Sequence, residues 1–464
     1  MAEPDARRRF ERKGRPAIRL GPVVPARLAV VGTGYVGLTT GACLAHLGHD
    51  VVCGDIDAGK VERLRRGEIP IVEDGLEDLV AEGLAAGRLR FVLGAATAVR
   101  DADIVFLCVP TPQAADGGAD LRYIEAAASE IGPVLRNGAL VVNKSTVPIG
   151  STRAVERVLG RTDVPVVSNP EFLREGTAVS DFLQPDRVVI GADDRDAAAR
   201  LAELYAGLGA PVIVTDPASA ETIKYAANGF LAMKISFVNA VAAMCEAVGA
   251  NIDDVVAGIG SDPRIGGQFL RPGPGWGGSC LPKDARALVK IAADYGYDFT
   301  MMKGVIDVND EQRRRMVAKV RAALGAEPGL GLRSRVVGVL GLTYKPGTDD
   351  LRASPSVAIV EALVAAGATV QAYDPTVAVG RLPAELEGVT LAADPYGAAA
   401  GAEVLVVATE WPEFAVLDLD KVAGLMADPR AIVDTRNLLD PAAVRAAGLG
   451  YDGVGRRAER PRHE

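Results

Sequence analysis

The sequence predicts an α/β protein: two doubly wound domains joined by a long central helix. Three observations predict it. Apolar runs of strand length alternate with helical stretches from Ala26 to about residue 217. From about Ser219 the apolar residues fall instead at three- and four-residue steps. After about residue 329 the alternation resumes. Alternation of this kind gives parallel sheets with helices packed on both faces. A chain of 464 residues has room for about three such bodies. Its 49% hydrophobic and 24% charged residues exclude a disordered or fibrous chain.

The elements follow in order. Residues 1–25 carry seven basic and three acidic residues, a net of +4, and read as a dispensable basic tail. RLAVVGTGYVGL is an apolar strand ending in a glycine-rich turn, and Thr39–Leu47 continues it as a helix. DVVCGD is the next strand, completing the length of one βαβ unit. Further strands are expected at 103–109, 139–145 and 164–170. Ile223, Ala227, Phe230, Leu231, Lys234, Phe237, Val238, Val241, Met244, Cys245 and Val248 then mark one long helix. More helices reach to about Leu324, interrupted by the Pro/Gly-rich loop at 271–284. Residues 326–334 read as a linker. Strands at 335–344, 368–375, 402–409 and 431–437, with a helix at 354–367, build the second alternating unit. The expected domains are therefore 26–217, 218–328 and 329–450, with a polar tail at 451–464.

The formal net charge of −9 argues against a nucleic-acid binder, which usually carries a basic domain. No uncharged apolar run reaches the ~18 residues of a membrane span. The most apolar stretch, Gly229 to Ala250, is interrupted by Lys234 and Glu246, so no membrane is expected. Five cysteines at irregular spacing give no disulfide framework, and a reducing, cytoplasmic setting is expected. The N-terminus lacks the apolar core of a secretory signal.

Gly32-Thr33-Gly34-Tyr35-Val36-Gly37 fits GxGxxG and sits where a strand gives way to a helix. Such glycines let a pyrophosphate approach the helix N-terminus. Asp55, 21 residues after Gly34 at the end of the second strand, can hold both ribose hydroxyls and would repel a 2′-phosphate. NAD is therefore expected over NADP. Lys60 reads equally as an adenosine contact or a surface lysine.

In Asn169–Gly176, Glu171 and Glu175 are four residues apart, which on a helical turn would place them on one face. That segment reads equally as a carboxylate pair or a solvated face. Lys224 and Asn228 are likewise one helical turn apart and could converge on one oxygen as an oxyanion arrangement. Exposed polar residues of an amphipathic helix explain them as well. Cys280 follows Gly277-Gly278-Ser279 and precedes Leu281-Pro282-Lys283-Asp284. A helix N-terminus or lysine beside it would favour thiolate. The segment alone fits a nucleophile or a structural loop cysteine. Cys43, Cys53, Cys108 and Cys245 lie in apolar elements and read as packing. With only three histidines, acid–base work falls to Lys, Glu or Asp, and no metal site is expected.

Several segments in order then resemble the nucleotide-sugar 6-dehydrogenases, the UDP-glucose/GDP-mannose dehydrogenase family. They are VGTGYVGL, VPTP (109–112), KSTVPIGST (144–152), SNPEFLREGTAVSDF (168–182), PDRVVIG (185–191), ETIKYAAN, SDPRIG (261–266), PGWGGSCLPKD and GLTYKPGTDDLRASPS (341–356). The resemblance runs from about Leu28 to Asn437. It implies two Rossmann-like domains, the second binding UDP, and a four-electron oxidation of a sugar 6-hydroxyl to a carboxylate with two NAD per turnover.

By the same resemblance Cys280 attacks an aldehyde intermediate, giving a thiohemiacetal and then a thioester, which water hydrolyses. Lys224 and Asn228 would steady the sugar oxygen. Asp284 and Thr146 would hold a water, and Glu175 would assist hydrolysis. The implied cofactor contacts are Gly32 to Gly37, Asp55, Lys60, Thr111, Ser145, Glu175 and Arg352. The implied substrate contacts are Glu171, Phe172, Leu173, Lys224, Asn228, Phe269, Leu270, Arg271, Gly277, Lys345 and Arg436. Arg264 would reach the sugar site of a neighbouring subunit in a homodimer built on the long helix.

Two departures stand out: the Arg-rich extension, and Ala353 where relatives commonly carry glutamate. PGWGGSCLPKD and PDRVVIG lean toward UDP-glucose over GDP-mannose. UDP-N-acetyl-hexosamine relatives usually carry GGHC at Gly277–Cys280. A non-catalytic nucleotide-sugar sensor would not need an intact nucleophile and partners. A two-electron hydroxyacid dehydrogenase would not need Cys280.

Overall fold

The computed structural model describes residues 24–114, 116–327, 331–378 and 382–456. The expected basic tail lies outside the described residues except for Val24 and Pro25, as do residues 328–330 of the expected linker and residues 457–464 of the expected C-terminal tail. The chain divides into two compact units, Met1–Ala227 and Asn228–Glu464.

The first unit is built on eight strands: β1 (Arg27–Val31), β2 (Asp50–Asp55), β3 (Leu89–Leu93), β4 (Ile104–Leu107), β5 (Leu140–Asn143), β6 (Val166–Ser168), β7 (Val188–Gly191) and β8 (Val212–Thr215). Their order is β3-β2-β1-β4-β5-β6-β7-β8. β1 explains why both faces are covered. Leu28 and Val30 enter one core while Ala29 and Val31 enter the other. Burying each larger aliphatic side chain contributes about 1.5–3 kcal/mol. The sheet departs from the all-parallel expectation at one place: β6 and β7 are antiparallel, paired at Ser168 and Gly191. The reversal is made by residues 169–187, which carry several candidate site residues.

The second unit holds β9 (Val336–Leu340), β10 (Thr369–Tyr373), β11 (Thr390–Leu391), β12 (Val404–Val407), β13 (Ala431–Asp434) and β14 (Gly450–Gly453). All pairings are parallel, in the order β11-β10-β9-β12-β13-β14. Helices of the expected middle domain, 218–328, pack on this sheet. Val238, Ala242 and Cys245 of helix Pro217–Val248, with Met316 and Val320 of helix Thr300–Ala323, share one core with Val337, Val339 and Ile359. The expected tail also needs correction at its start. Tyr451 and Val454 are buried, and β14 pairs with β13.

Helix Pro217–Val248 has a window apolar and long enough to cross a membrane by length and composition. Its Ala232, Val238, Ala242 and Cys245 are instead buried in the protein cores. Ser236 on the same helix donates to Val305 O at 2.7 Å.

Candidate functional site

In the first unit the three glycines of the turn serve three different ends. Gly32 has φ +93, and a Cβ there would stand 2.7 Å from Cys108 O. A Cβ on Gly37 would stand 1.9 Å from Gly32 O, so helix and turn pack backbone to backbone. Gly34 has nothing within 4 Å of where its Cβ would be. The fold does not need glycine there, whereas a pyrophosphate approaching the turn does. Gly34 caps helix Tyr35–His46 and supplies no side-chain acceptor, so the helix N-terminus keeps its donors for an anion.

Asp55 closes this site. Its Oδ2 accepts hydrogen bonds from Thr33 N at 2.9 Å, Thr33 Oγ1 at 2.5 Å and Lys60 Nζ at 2.9 Å. Its Oδ1 accepts from Asp57 N at 3.1 Å. Burial alone would push this carboxyl up, but the Thr33 and Lys60 bonds outweigh it and hold the pKa at about 2. Lys60 is thus the partner of Asp55. The residues present fit a dinucleotide whose ribose diol meets a fixed carboxylate. Val36 is partly exposed beside the turn, and Thr111 is buried in the segment after β4. Ser145 Oγ donates to Val109 O at 2.8 Å and pins that segment to the end of β5, and Thr146 follows it partly exposed.

Residues 169–177 form an irregular loop, not the helical turn expected; the helix begins only at Ala178. Pro170 disfavours helical backbone at Asn169, and Glu171 Oε2 accepts from Leu173 N at 2.6 Å, a local bond that competes with a helix. Glu171 and Glu175 therefore do not share a helical face, though both are buried. Glu171 pairs with Lys224: Nζ lies 2.9 Å from Oε1 and 2.7 Å from the Glu171 carbonyl. Burial opposes ionisation of Glu171, and the Lys224 ammonium overcomes it, leaving the carboxyl below its usual range. The Phe172 ring lies beneath the Arg187 guanidinium at 3.5 Å and 5.4 Å from Lys224 Nζ. Leu173 packs against the adjoining core.

In the second unit, Asn228 Nδ2 donates to Asp284 Oδ2 at 2.6 Å, and Lys283 Nζ lies 2.6 Å from Asp284 Oδ1. Asp284 is fully buried. The two donors expected to converge on one oxygen thus each meet a carboxylate, Lys224 on Glu171 and Asn228 on Asp284.

Cys280 caps helix Leu281–Asp294 at its N-terminus. The positive end of a helix dipole favours thiolate. Cys280 alone among the five cysteines is not buried. Burial pushes the thiols of Cys43 and Cys53 far up and that of Cys108 to about 12, so these are inert. The loop before Cys280 is fixed from several sides. Asn309 exchanges hydrogen bonds with the Trp276 backbone at 2.8 and 3.1 Å. Gln312 donates to Gly273 O at 2.7 Å, and Asn239 accepts from Gly273 N at 2.8 Å. A Cβ on Gly277 would stand 2.3 Å from Ala353 O, and Gly278 N donates to Arg352 O at 3.1 Å. Ala353 itself has φ +48.

The remaining candidates divide. Arg436 donates to Ala408 O at 2.8 Å and Tyr344 O at 2.9 Å, and lies 3.0 Å from Glu410. Lys345 Nζ stands 5.5 Å from the Tyr344 ring. Phe269 adopts φ +62, and Leu270 is buried. Arg271 is exposed, Arg352 pairs with Asp350 at 2.8 Å, and Arg264 pairs with Asp262 at 2.6 Å on the surface.

Several supporting residues escaped the sequence reading: Thr33 as partner of Asp55, Arg187 over Phe172, and Asn309, Gln312 and Asn239 around the cysteine loop. Glu221 accepts from Gly150 N, Thr152 N and Thr152 Oγ1 at 2.6 to 2.9 Å. Lys144 donates to Asn169 Oδ1 at 3.1 Å. Polar residues on buried helix faces are the one signal that could have found the three amides.

Comparison with known proteins returns one family over most of the chain. Models of the UDP-glucose/GDP-mannose dehydrogenase family match as NAD binding domain at residues 26–209, central domain at 218–311 and UDP binding domain at 338–441. The UDP-glucose 6-dehydrogenase of Rhizobium meliloti is 48% identical over 440 residues, covering 93% of this chain and 99% of the relative. That of Bacillus subtilis named TuaD is 45% identical, covering 94% of each. A solved structure of a UDP-glucose dehydrogenase from Pyrobaculum islandicum superposes with a TM-score of 0.86 at 42% identity, covering 93% of this chain and 98% of that one.

Proposed function

Since this chain belongs to the UDP-glucose/GDP-mannose dehydrogenase family, we propose that it oxidises UDP-glucose to UDP-glucuronate with NAD. The observation that carries the reading is Cys280, an accessible thiol at a helix N-terminus, on a loop whose glycines and buried amides fix its backbone. A hydroxyacid dehydrogenase or a sensor has no use for such a residue.

Gly34, the Tyr35–His46 helix N-terminus and Asp55 hold the NAD, with Thr111 and Ser145 of the same unit; Arg352 is assigned to the cofactor as well. When bound, NAD accepts a hydride in each of two oxidations. Lys224 and Asn228 donate to the sugar O6 as charge develops on it. The Cys280 thiolate adds to the C6 aldehyde, forming a C–S bond, and the carbonyl oxygen takes a proton. Loss of hydride and of that proton from this thiohemiacetal leaves a thioester. A water oriented by Asp284 and Thr146 adds to the thioester carbon with Glu175 taking its proton, and the C–S bond breaks to return the thiolate. The covalent link explains why no aldehyde need escape between oxidations. Glu171 pairs with Lys224 and orients its side chain. Phe172, Leu173, Phe269, Leu270, Arg271, Gly277, Lys345 and Arg436 are assigned to the sugar nucleotide. The domain assignments 26–217, 218–328 and 329–450 belong to the same reading.

The protein acts as a cytoplasmic homodimer. A row of exposed apolar residues on the long helix, Phe230, Phe237, Met244 and Val248, supports the association. Arg264, exposed on the same unit, completes the neighbour's site.

Limiting UDP-glucose with excess NAD tests the reading, with GDP-mannose in parallel. Two NADH per UDP-glucose are expected. Cys280→Ala should yield no more than one NADH per sugar and lose at least roughly 10³-fold in turnover. Two NADH from Cys280→Ala would end the thioester account. Two NADH from GDP-mannose alone would move the substrate.

A further inference from the structure

Glu73 lies in the loop before helix Leu76–Ala85, outside every motif assigned above. Its side chain is nevertheless buried, and its carboxylate is shared by two segments of the site. Oε2 accepts from the Tyr35 hydroxyl, on the first residue of the dinucleotide helix. The same Oε2 accepts from Gly176 N at 2.6 Å, the peptide directly after Glu175. Gly176 N also points at Tyr35 Oη at 2.8 Å. Oε1 accepts from Val179 N at 3.4 Å, in the first turn of a helix that has no side-chain cap of its own. Gly176 adopts φ +78, a left-handed backbone that glycine takes without strain.

We propose that Glu73 is a positioning residue, tying the loop that carries Glu175 to the first residue of the dinucleotide helix. One carboxylate thus sets the cofactor turn and the hydrolytic carboxylate in fixed register. The dinucleotide turn has its own supports in Gly32, Gly37 and Asp55, so loss of Glu73 loosens the Glu175 loop and spares the turn. The tie rests on the proposed function only for the consequence it assigns to Glu175.

Glu73→Gln is the test, because it keeps shape and removes an acceptor. Whichever way its amide turns, the NH2 group faces either Val179 N–H or the Gly176 and Tyr35 donors, and cannot accept from them. Amide hydrogen exchange over residues 171–180, measured without substrate, should speed up in Glu73→Gln. With UDP-glucose, kcat should fall roughly 10- to 100-fold while KM for NAD stays within about threefold. Adding Glu73→Gln to Glu175→Gln should lower kcat no further, since both act through one group. A purely structural role would lower the melting temperature and leave kcat per folded site unchanged. Unchanged exchange, a kcat within about twofold of wild type, or multiplying losses in the double variant would overturn the proposal. If Glu73→Gln fails to fold, Tyr35→Phe takes its place, with faster exchange at Gly176 expected and unchanged exchange overturning the tie. Wild-type protein that makes no NADH from UDP-glucose would sink the function instead, and the exchange result would still judge the tie.

Discussion

Gly32, Gly34 and Gly37 look alike in a motif and differ in what the fold asks of them. Gly32 and Gly37 are required by backbone contacts, so alanine at either disrupts the turn. Gly34→Ala meets open space and should leave the melting temperature within about 1 °C while raising KM for NAD at least roughly tenfold, a clash with ligand alone. Equal losses of stability and affinity would place Gly34 with its neighbours. Asp55 carries a stability term with a defined pH window. Its folded pKa of about 2 lies below that of an unfolded aspartate, so its stabilisation is fully present above about pH 4 and is lost as pH falls through 2. The difference is worth about 2 kcal/mol at pH 7, roughly half of it gone by pH 3. Asp55→Asn should lower the urea midpoint at pH 7 accordingly, with the gap to wild type narrowing below pH 4. A gap independent of pH would assign the loss to packing. Short-range patterns in the sequence mark as candidates the turn glycines, Asp55, Lys224 with Asn228, and Cys280. Glu73, Glu221 and Lys144 were not legible, because their partners lie 25 to 106 residues away and only tertiary folding brings them together.

Elements were legible where hydrophobic period and length agreed. β1, β2 and β9 are apolar runs beside turn glycines, β4 is an uninterrupted apolar run, and the long helix shows its period over 32 residues. β3 and β14 each carry a charged residue, Arg90 and Asp452, while β7 and β8 are mainly apolar runs of only four residues, and each of the four is paired with a neighbour strand. The 169–177 loop was misread because spacing of four residues is necessary for a helical face and not sufficient. β14 carries the consequence for stability. Asp452 bonds Lys319 at 2.7 Å, Gly455 N donates to Glu246 at 2.8 Å, and Tyr451 and Val454 are buried. This fastens the strand to helices Pro217–Val248 and Thr300–Ala323 as well as to β13. A chain ending at Gly450 should melt about 10 °C lower, from the lost burial alone. An unchanged melting curve would show that the sheet closes without β14. A smaller effect is expected at Glu221. Helix Ser151–Leu159 has Gly150 at its N-cap, with no side chain to satisfy it, and Glu221 accepts those donors. Burial pushes the Glu221 carboxyl up against these bonds. Glu221→Gln should cost about 1–2 kcal/mol, read as a shift in the urea midpoint.

At the scale of the whole molecule, the surface of the long helix is the feature the fold leaves unexplained. Phe230, Phe237, Met244 and Val248 are 56–71% exposed at spacings of seven, seven and four residues, one stripe down a helix. A monomer rarely keeps so many large apolar side chains in a row. In the proposed homodimer, a second copy related by two-fold symmetry would bring the same stripe against itself. The loop with Arg264 is fastened to this helix, since Lys234 Nζ donates to Ile265 O at 3.0 Å and Gly266 O at 3.2 Å. Arg264 thus rides on the element proposed as the interface while its side chain is 87% exposed. Two measurements follow. Phe237→Glu should convert the wild-type dimer to monomer in sedimentation, and activity should fall with it. Arg264→Ala and Cys280→Ala should each be inactive alone. Mixed and allowed to exchange, half the dimers pair one variant with the other, and each such dimer has one site with both Cys280 and the partner's Arg264. Activity should return to about one quarter of wild type. That gain can arise only if arginine and cysteine act across the interface. A mixture no more active than its parts would place Arg264 in the site of its own chain.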